Sequence, residues 1–209
     1  MENKRSSRAV ESAGSTPTRT LIVTAARDVF IERGFFDTRI TDITEAAGVA
    51  SGSFYTYFDS KELVFEAMLD ELDAAIMPAP WSPTDGVREW VCTNARHYLE
   101  QFGSHAPFWR RVEQAALGNR GISRMLAARR EVYVAQVQDT VCTWVDAGLV
   151  SPGVSADVTA LALVATTEQC AFQWFVLEEG TPAIDAAVDQ LTDLWCRVLR
   201  SSRTEGQAQ

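Results

Sequence analysis

A short hydroxyl-rich stretch at residues 51–58 has the sequence SGSFYTYF. On a helix, such small or flat polar groups fit a DNA major groove about 12 Å wide and can hydrogen-bond to base edges and phosphates. The structural alternative is a helical hairpin with an aromatic core, for which Phe54 and Phe58 lie one turn apart. For Tyr55 and Tyr57 we favour a role in nucleic-acid binding over a position in the core, because a buried tyrosine needs a partner for its hydroxyl group.

Residue types that carry catalysis or bind metals are sparse. The two histidines, His97 and His105, have no Cys or Ser partner motif, and the four cysteines form no C-x-x-C pair. The sequence also lacks a nucleophile elbow, a phosphate-binding glycine loop and a paired carboxylate spacing. We therefore predict no enzyme activity, no metal and no cofactor, and we interpret the cysteines as small buried hydrophobic residues in a reducing compartment.

Three short helices are predicted around the hydroxyl-rich stretch. Apolar residues at steps of three and four predict a first helix from Thr18 to a glycine cap at Gly34. Its buried positions are predicted to be Ile22, Ala25, Ala26, Val29 and Phe30. A second helix is predicted at residues 40–47, capped by Thr38 and ended by Gly48, and residues 51–58 form the third. The second is predicted to bury Ile43, Ala46 and Ala47. Two brief helices joined by a tight glycine turn predict a helix-turn-helix.

The rest of the chain is also predicted to be helical. Asp59 and Glu62 form a predicted capping box that opens a long helix running to Pro78. Five further periodic segments follow, at residues 87–102, 108–117, 122–145, 158–177 and 184–199, separated by glycine and proline. No period-two alternation indicates a strand. The fold class is therefore all-α, with about nine helices.

Neither export nor a membrane span is predicted. The first twenty residues lack the apolar run of a secretory signal. The apolar segment at 158–177 is interrupted by Glu168, Gln169 and Gln173, which a membrane tolerates poorly. We expect a cytoplasmic protein.

The block from Thr20 to Leu69 resembles the DNA-binding region of the TetR family of bacterial transcriptional regulators. The resemblance rests on the amphipathic helix ending at Gly34, the turn Ala47-Gly48-Val49, the aromatic run at 54–58 and Lys61-Glu62-Leu63. It covers about a quarter of the chain. The remainder is similar to the family in helical pattern and length.

The resemblance implies a set of DNA contacts. Base contacts are implied for Ser51, Gly52 and Tyr55, with Thr41 as a further base reader. Phosphate contacts are implied for Thr38, Ser53, Thr56, Tyr57 and Lys61. Arg39 stands where the family usually has Thr or Ser, and the third helix contains no Lys or Arg. Arg39 or the basic N-terminal residues can supply the missing positive charge.

Charge and composition divide the chain into four parts. Residues 1–17 form a predicted flexible basic arm, 18–62 the helix-turn-helix domain, 63–203 a ligand-binding and dimerisation domain, and 204–209 a tail. The whole chain carries a net charge of −9. Residues 1–62 carry 8 basic and 9 acidic groups, whereas 63–209 carry 11 and 19. The acidic excess therefore belongs to the part expected to face away from DNA.

The resemblance places an effector pocket in the larger domain. The candidate lining residues, which composition cannot distinguish from plain core, are Trp90, Phe102, Trp109, Val137, Trp144, Phe172 and Trp174. Polar groups that could orient a ligand are His97, Glu113, Gln136, Thr140, Glu168 and Gln169. The pairs Arg110-Arg111 and Arg129-Arg130 either bind an anionic head group or form solvated helix faces.

The last two helices carry apolar stripes that the resemblance assigns to a dimer interface. The predicted interface residues are Val158, Leu161, Ala165, Val188, Leu191, Trp195 and Val198. Internal packing is the alternative for the same residues. The resemblance implies a homodimeric repressor that binds a palindromic operator in double-stranded DNA and is released by a small hydrophobic or amphipathic effector. The alternative is a helical protein that binds a hydrophobic ligand without binding DNA.

Overall fold

The structure is a computed structural model and describes residues 17–178 and 183–200. Within these ranges all regular elements are helical, which confirms the predicted all-α fold of about nine helices. The helices are α1 Pro17–Arg33, α2 Ile40–Ala47, α3 Ser51–Tyr57, α4 Lys61–Ile76, α5 Val87–Ser104, α6 Ala106–Gly118, α7 Arg120–Asp146, α8 Ala156–Phe172 and α9 Ile184–Arg200. The tail predicted at 204–209 and all but the last residue of the predicted arm lie outside the described residues.

Two compact units divide the chain, Met1–Met68 and Leu69–Gln209. Their boundary falls within α4, later than the predicted boundary after residue 62. The first unit has an aromatic core in which Phe30, Phe35 and Phe65 have ring centroids 5.2–5.7 Å apart. All five predicted buried positions of α1 are buried. Gly34, with φ of 80°, ends α1 in the left-handed conformation that glycine adopts without strain.

Two predicted helix caps are wrong by one residue. The residue before α2 is Arg39, and the Thr38 hydroxyl instead donates to the Gly34 carbonyl oxygen at 2.7 Å. At α4 the Ser60 hydroxyl oxygen, not the Asp59 carboxylate, accepts from the Leu63 amide at 3.3 Å. Adjacent residues can each serve as a cap, and the chain path into the helix selects between them.

The predicted inward face of α2 is also partly wrong. Ile43 and Thr44 are buried, Ala47 is half-buried, and Ala46 is exposed. The buried Thr44 hydroxyl donates to the Thr41 carbonyl oxygen at 3.1 Å, which offsets the cost of removing it from water.

In the second unit, α5 packs against α9 and α7 packs against α8. The indole rings of Trp90 and Trp144 meet edge to face with centroids 5.2 Å apart. Trp90 Nε1 donates to the Ala79 carbonyl oxygen at 2.8 Å, and Asn94 Oδ1 accepts from the Ala79 amide at 2.7 Å. These two bonds hold the loop after α4 against α5.

The predicted helix at 158–177 changes its hydrogen-bond pattern near its end. It begins at Ala156, and a π-helical turn, Gln173–Leu177, follows α8. The Phe175 ring of this turn packs onto Gly103, where an added Cβ would lie 2.9 Å from a ring atom. The sequence pattern predicts that the helix ends at residue 102, before Gly103. In the structure Gly103 lies within α5, where the absence of a side chain makes room for the Phe175 ring.

One helical segment of the described chain, Ala156–Leu177, is long and apolar enough to cross a membrane, with 28% of its most apolar window buried. Length and composition alone are weak evidence for a span, because core helices of soluble proteins pass the same test. Thr159, Ala160, Leu163, Val164 and Ala171 face the core on one side of this helix.

Candidate nucleic-acid interface and ligand cavity

The turn between α2 and α3 is fixed by backbone hydrogen bonds. Gly48, with φ of 66°, is left-handed, and its amide donates to the Glu45 carbonyl oxygen at 3.1 Å. The Val49 amide donates to the Thr44 carbonyl oxygen at 3.0 Å. Because a side chain at Gly48 would strain this conformation, a glycine here sets the angle at which α3 leaves α2.

Helix α3 has a buried aromatic face and an exposed polar face. Phe54 is fully buried, and its ring centroid lies 5.8 Å from that of Phe58, which follows the helix and is also buried. These two residues are core, as their spacing indicates. On the opposite side Ser51, Gly52 and Thr56 are exposed, and Tyr55 is 58% exposed. Ser53 and Tyr57 are half-buried.

Gly52 has no packing reason to be a glycine. An added Cβ at this position would meet nothing within 4 Å, and the backbone φ lies outside the left-handed region. Glycine disfavours helix relative to alanine, so its presence in the first turn of α3 costs stability. A backbone that must approach another molecule closely gives a physical reason for that cost.

Lys61 and Thr38 use their side-chain donors inside the protein. Lys61 Nζ donates to the carbonyl oxygens of Phe35 at 2.6 Å and Thr38 at 2.9 Å, with that of Phe36 at 3.4 Å. It also lies 4.5 Å from the centroid of the Phe35 ring. The Thr38 side chain is buried, and its one donor is used by Gly34. The resemblance implies that these two side chains contact phosphates directly. Such contacts would require breaking the bonds just described. Both side chains instead fix the loop between α1 and α2.

At the start of α2, Arg39 and Thr41 are exposed. The Arg39 amide donates to Asp42 Oδ2 at 2.8 Å, and Arg33 Nη1 lies 2.8 Å from Asp42 Oδ1. The Arg39 amide, together with the Arg33 guanidinium, holds the pKa of Asp42 below its usual value. The Arg39 side chain is thereby placed in solvent beside the helix N-terminus, where an anion is favoured.

The second unit contains a cavity of about 430 Å³. Five aromatic residues line it: Tyr98, Phe102, Trp109, Tyr133 and Phe172. The aliphatic part of the wall consists of Ile76, Met77, Val112, Leu126 and Ala165. Its polar residues are Asp73, Glu113, Arg129, Arg130, Glu168 and Gln169. Both the volume and the mixed lining are typical of small-molecule sites.

Three of the seven candidate lining residues meet in this cavity, namely Phe102, Trp109 and Phe172. Trp90 and Val137 line a separate cleft of about 50 Å³. Trp144 is fully buried core, and Trp174 lies on the π-helical turn outside both spaces. Tyr98 and Tyr133 also line the cavity and are not among the predicted lining residues, although their positions on amphipathic helices are a signal that could indicate them.

Charged residues of the cavity wall are paired across helices. Arg130 Nε lies 2.7 Å from Glu168 Oε2. Arg129 contacts Asp70 Oδ1 at 2.5 Å and also pairs with Asp73. Burial raises the pKa of Glu168 and of Asp73 above the usual values, despite the neighbouring guanidinium groups. Arg129 is therefore a half-buried, paired member of the cavity wall, whereas Arg130, although paired with Glu168, is exposed to solvent. In the other pair, Arg110 Nη2 donates to the Val176 carbonyl oxygen at 2.7 Å.

The other polar candidates lie elsewhere or make internal contacts. His97 Nε2 lies 2.5 Å from the Ala75 carbonyl oxygen near the end of α4. The Thr140 hydroxyl donates within α7, to the Gln136 carbonyl oxygen at 3.1 Å. Neither Gln136 nor Thr140 lines the cavity.

Residues 22–68 match the family model described as "Bacterial regulatory proteins, tetR family". The match spans α2, α3 and the turn between them. Over these residues the chain has the DNA-binding region of the TetR family. It is thus a helix-turn-helix transcriptional regulator, and the TetR regulators it resembles are not enzymes.

Relatives extend the TetR-family match beyond the DNA-binding region. The transcriptional regulator EthR of Mycobacterium tuberculosis H37Rv is 26% identical over 180 residues, which are 83% of each chain. The transcriptional repressor KstR2 of Rhodococcus jostii is 42% identical over 62 residues, covering 30% of this chain and 28% of KstR2. The short alignment with KstR2 thus has a higher sequence identity than the long alignment with EthR.

Solved structures show the same fold. Salmonella enterica GusR superposes with a TM-score of 0.74 at 20% identity, covering 90% of this chain and 99% of GusR. Bacillus subtilis FadR, solved in complex with stearoyl-CoA, has a TM-score of 0.68 at 16% identity, covering 84% of this chain and 96% of FadR.

The apolar stripes of α8 and α9 separate into exposed and buried residues. Val158, Leu161 and Ala165 on α8 and Val198 on α9 are exposed. Val188, Leu191 and Trp195 are buried within the protomer and belong to its core, so the prediction that they lie in a dimer interface is wrong. The exposed Leu194, which the prediction omitted, lies one turn before Val198.

The described residues contain no group of three or more His, Cys, Asp or Glu side chains that could hold a metal ion. The cysteines there are free; Cys196 is buried, Cys92 and Cys170 are half-buried, and Cys142 is exposed, contrary to the prediction of burial for all four.

Proposed function

We propose that this regulator is a homodimeric, ligand-responsive repressor that binds a palindromic operator and is released by a small hydrophobic or amphipathic effector. The proposed base-reading residues are Thr41, Ser51, Gly52 and Tyr55. The proposed phosphate contacts are Arg39, Ser53, Thr56 and Tyr57. Thr38 and Lys61 act indirectly, by fixing the loop before α2. The protein acts in the cytoplasm, where its operator lies.

The observation that carries this proposal is the continuity of α4. Its first residue, Lys61, binds the loop between α1 and α2, and Asp73 and Ile76 near its other end belong to the cavity wall. Lys61 and Asp73 are therefore twelve positions apart on a single helix. A ligand that favours one position of α4 can therefore alter DNA affinity, by a coupling free energy typically of about 1–3 kcal/mol.

Features of the relatives support the repressor role and an apolar effector. KstR2 of Rhodococcus jostii and DhaR of a Mycobacterium species are named transcriptional repressors. The FadR structure from Bacillus subtilis holds stearoyl-CoA. The aromatic and aliphatic wall of the cavity here suits a ligand with an apolar body in the same way.

The proposal is tested by selecting the DNA that the protein binds from genomic fragments. A specific sequence with two half-sites about one helical turn apart is expected from a two-fold dimer. Tyr55→Ala should weaken binding to that sequence by about 1–3 kcal/mol, because an exposed base-reading side chain is lost without damage to the core. If no fragment is enriched, the alternative of a helical ligand-binding protein without DNA binding is favoured.

A further inference from the structure

We propose that the ligand of the cavity is an apolar compound with a carbonyl oxygen, such as a ketone, ester or amide, and that this oxygen accepts hydrogen bonds from the hydroxyl groups of Tyr98 and Tyr133. The inference rests on the proposed function, because it assigns a chemical class to the effector proposed above. It starts from two tyrosine hydroxyl groups of the cavity wall that have no partner within the described residues.

The two tyrosines adjoin each other in the wall of the cavity. Tyr98 lies on α5 and Tyr133 on α7, and their rings meet edge to face with centroids 6.0 Å apart. Both residues line the cavity of about 430 Å³ and also the small cleft of about 50 Å³. Tyr98 is only 4% exposed, and Tyr133 is half-buried. A ligand that fills the cavity therefore contacts both residues and removes water from them.

Neither hydroxyl group forms a hydrogen bond with any of the described residues. The charge of Glu168 acts on both tyrosines, but its carboxylate pairs with Arg130 instead. A buried tyrosine ordinarily has a partner for its hydroxyl group, because the loss of hydration is not otherwise compensated. Water can supply this partner while the cavity is empty, and a ligand that displaces the water must replace its hydrogen bonds.

Both hydroxyl groups offer protons to a ligand. Burial, together with the charge of Glu168, raises the pKa of Tyr98 and of Tyr133 above the ordinary value, so both keep their protons at neutral pH. Trp109 Nε1 in the same wall is also buried without a partner, and an indole nitrogen can only donate. The chemical group that complements such a wall is a hydrogen-bond acceptor.

A carbonyl group satisfies these donors with a single atom. Its oxygen has two lone pairs and can accept two hydrogen bonds, and it brings no further proton that needs an acceptor. A ligand without an acceptor would leave both tyrosine hydroxyl groups buried and unpaired, and a site of this kind discriminates strongly against such an analogue. The apolar side chains of the wall, among them Ile76, Val112 and Leu126, favour an apolar body for the rest of the ligand.

The test compares two probes with the same carbon skeleton, 4-phenylbutan-2-one and butylbenzene. Titrations are followed by tryptophan fluorescence, for which Trp109 is a reporter in the cavity wall. In the double variant Tyr98→Phe, Tyr133→Phe, the ketone should bind about tenfold or more weakly than in the wild type, because two hydrogen bonds are lost. Butylbenzene should bind equally well or several-fold more tightly, because it no longer covers unpaired hydroxyl groups.

Thr140→Val is the matched control, because it removes a hydroxyl group of α7 that lies outside the cavity and donates to the Gln136 carbonyl oxygen. Both probes should bind this variant as they bind the wild type. Thermal unfolding without ligand checks that the Tyr98 hydroxyl group has no internal partner. Tyr98→Phe should be at least as stable as the wild type, whereas loss of a structural hydrogen bond would make it less stable.

The inference is overturned by unchanged ketone affinity in the double variant, by equal loss of both probes, by a clearly destabilised Tyr98→Phe, or by failure of the ketone to bind the wild type at any soluble concentration. Circular dichroism checks that each variant is folded. DNA binding without ligand is measured on the same samples. Loss of specific DNA binding in the wild type would refute the proposed function, whereas a failed ketone result with DNA binding intact refutes only the ligand class.

Discussion

At the scale of single residues, the helix-turn-helix separates residues that stabilise the fold from residues that face solvent. Phe54 is fully buried, which typically contributes about 1.5–3 kcal/mol, whereas its neighbours Ser51, Gly52 and Tyr55 contribute little to the core. Stability and DNA affinity can therefore be changed independently in α3.

Gly52→Ala should separate the two properties. We expect the variant to be more stable by up to about 1 kcal/mol, because alanine favours helix and its Cβ meets nothing. Operator affinity should fall by about tenfold, because the added methyl group holds the helix away from the bases. Thermal unfolding and gel-shift titration measure the two effects. Gly86→Ala, at another glycine with open space around it and outside the first unit, should leave DNA affinity unchanged; an equal loss in both variants would contradict the contact.

Glu168 links stability to pH. Burial raises its pKa in the folded protein above the ordinary value of 4.5, so the folded state keeps the proton to higher pH than the unfolded state. The stability that this group contributes is fully present below 4.5 and is lost as pH rises through the folded pKa. Glu168→Gln should therefore unfold at a higher temperature than the wild type at neutral pH, and the difference should vanish in acid. A difference that grows on acidification would contradict this assignment.

At the scale of elements, the loop between α1 and α2 is held by one ammonium group. Lys61 Nζ contacts three carbonyl oxygens, from Phe35, Phe36 and Thr38, and the Phe35 ring. Hydrogen bonds to a charged group typically contribute about 1.5–3 kcal/mol each. The element that carries Arg39 and Thr41 therefore depends on the first residue of α4.

Lys61→Ala and Arg39→Ala should have opposite signatures. Lys61→Ala should destabilise the protein by about 1–3 kcal/mol and leave the salt dependence of DNA binding nearly unchanged, because its donors are used within the chain. Arg39→Ala should leave stability within about 0.5 kcal/mol and reduce the salt slope by about one, as expected for one lost phosphate contact. Denaturant titration and binding at several salt concentrations measure both. A slope that falls for Lys61→Ala would restore its direct phosphate contact.

Local signals in the sequence predicted the elements better than their faces. Gly48 and the apolar spacing before it predicted the bounds of α2 that the structure shows, Ile40–Ala47, because helix ends depend on neighbouring residues. On α9 two apolar faces coexist, one with Val188 and Trp195 and one with Leu194 and Val198. Periodicity reveals such stripes but not which one α5 covers. The cavity was predicted only in part, because residues from α4 to α8 form it and no local pattern records their meeting.

At the scale of the whole molecule, the proposed dimer must use residues that the protomer leaves exposed. Val158 is 63% exposed, Leu161 53% and Val198 40%. Together with Ala165 they are apolar surface that a second copy can bury. A dimer interface on α8 would explain why the segment Ala156–Leu177 is as apolar as a membrane span.

Leu161→Glu should convert the dimer into folded monomers of 23.1 kDa, because the charge enters the interface and not the protomer core. Sedimentation measures the mass, and circular dichroism the fold. Leu117→Glu on α6, at a residue 89% exposed, should leave the dimer intact. Trp195→Glu, which the sequence alone would offer as the dimer test, should instead unfold the protomer, since Trp195 is 4% exposed. A dimer that survives Leu161→Glu would move the interface away from α8.

The exposed stripe on α8 also makes stability depend on how much protein is present. If the stripe is covered only by a second copy, each protomer gains part of its stability from association, and dilution removes that part. The unfolding temperature should rise with protein concentration in the wild type and be independent of it in Leu161→Glu. A regulator made in small numbers would then be degraded fastest when it is scarcest, so that its own abundance sets its lifetime.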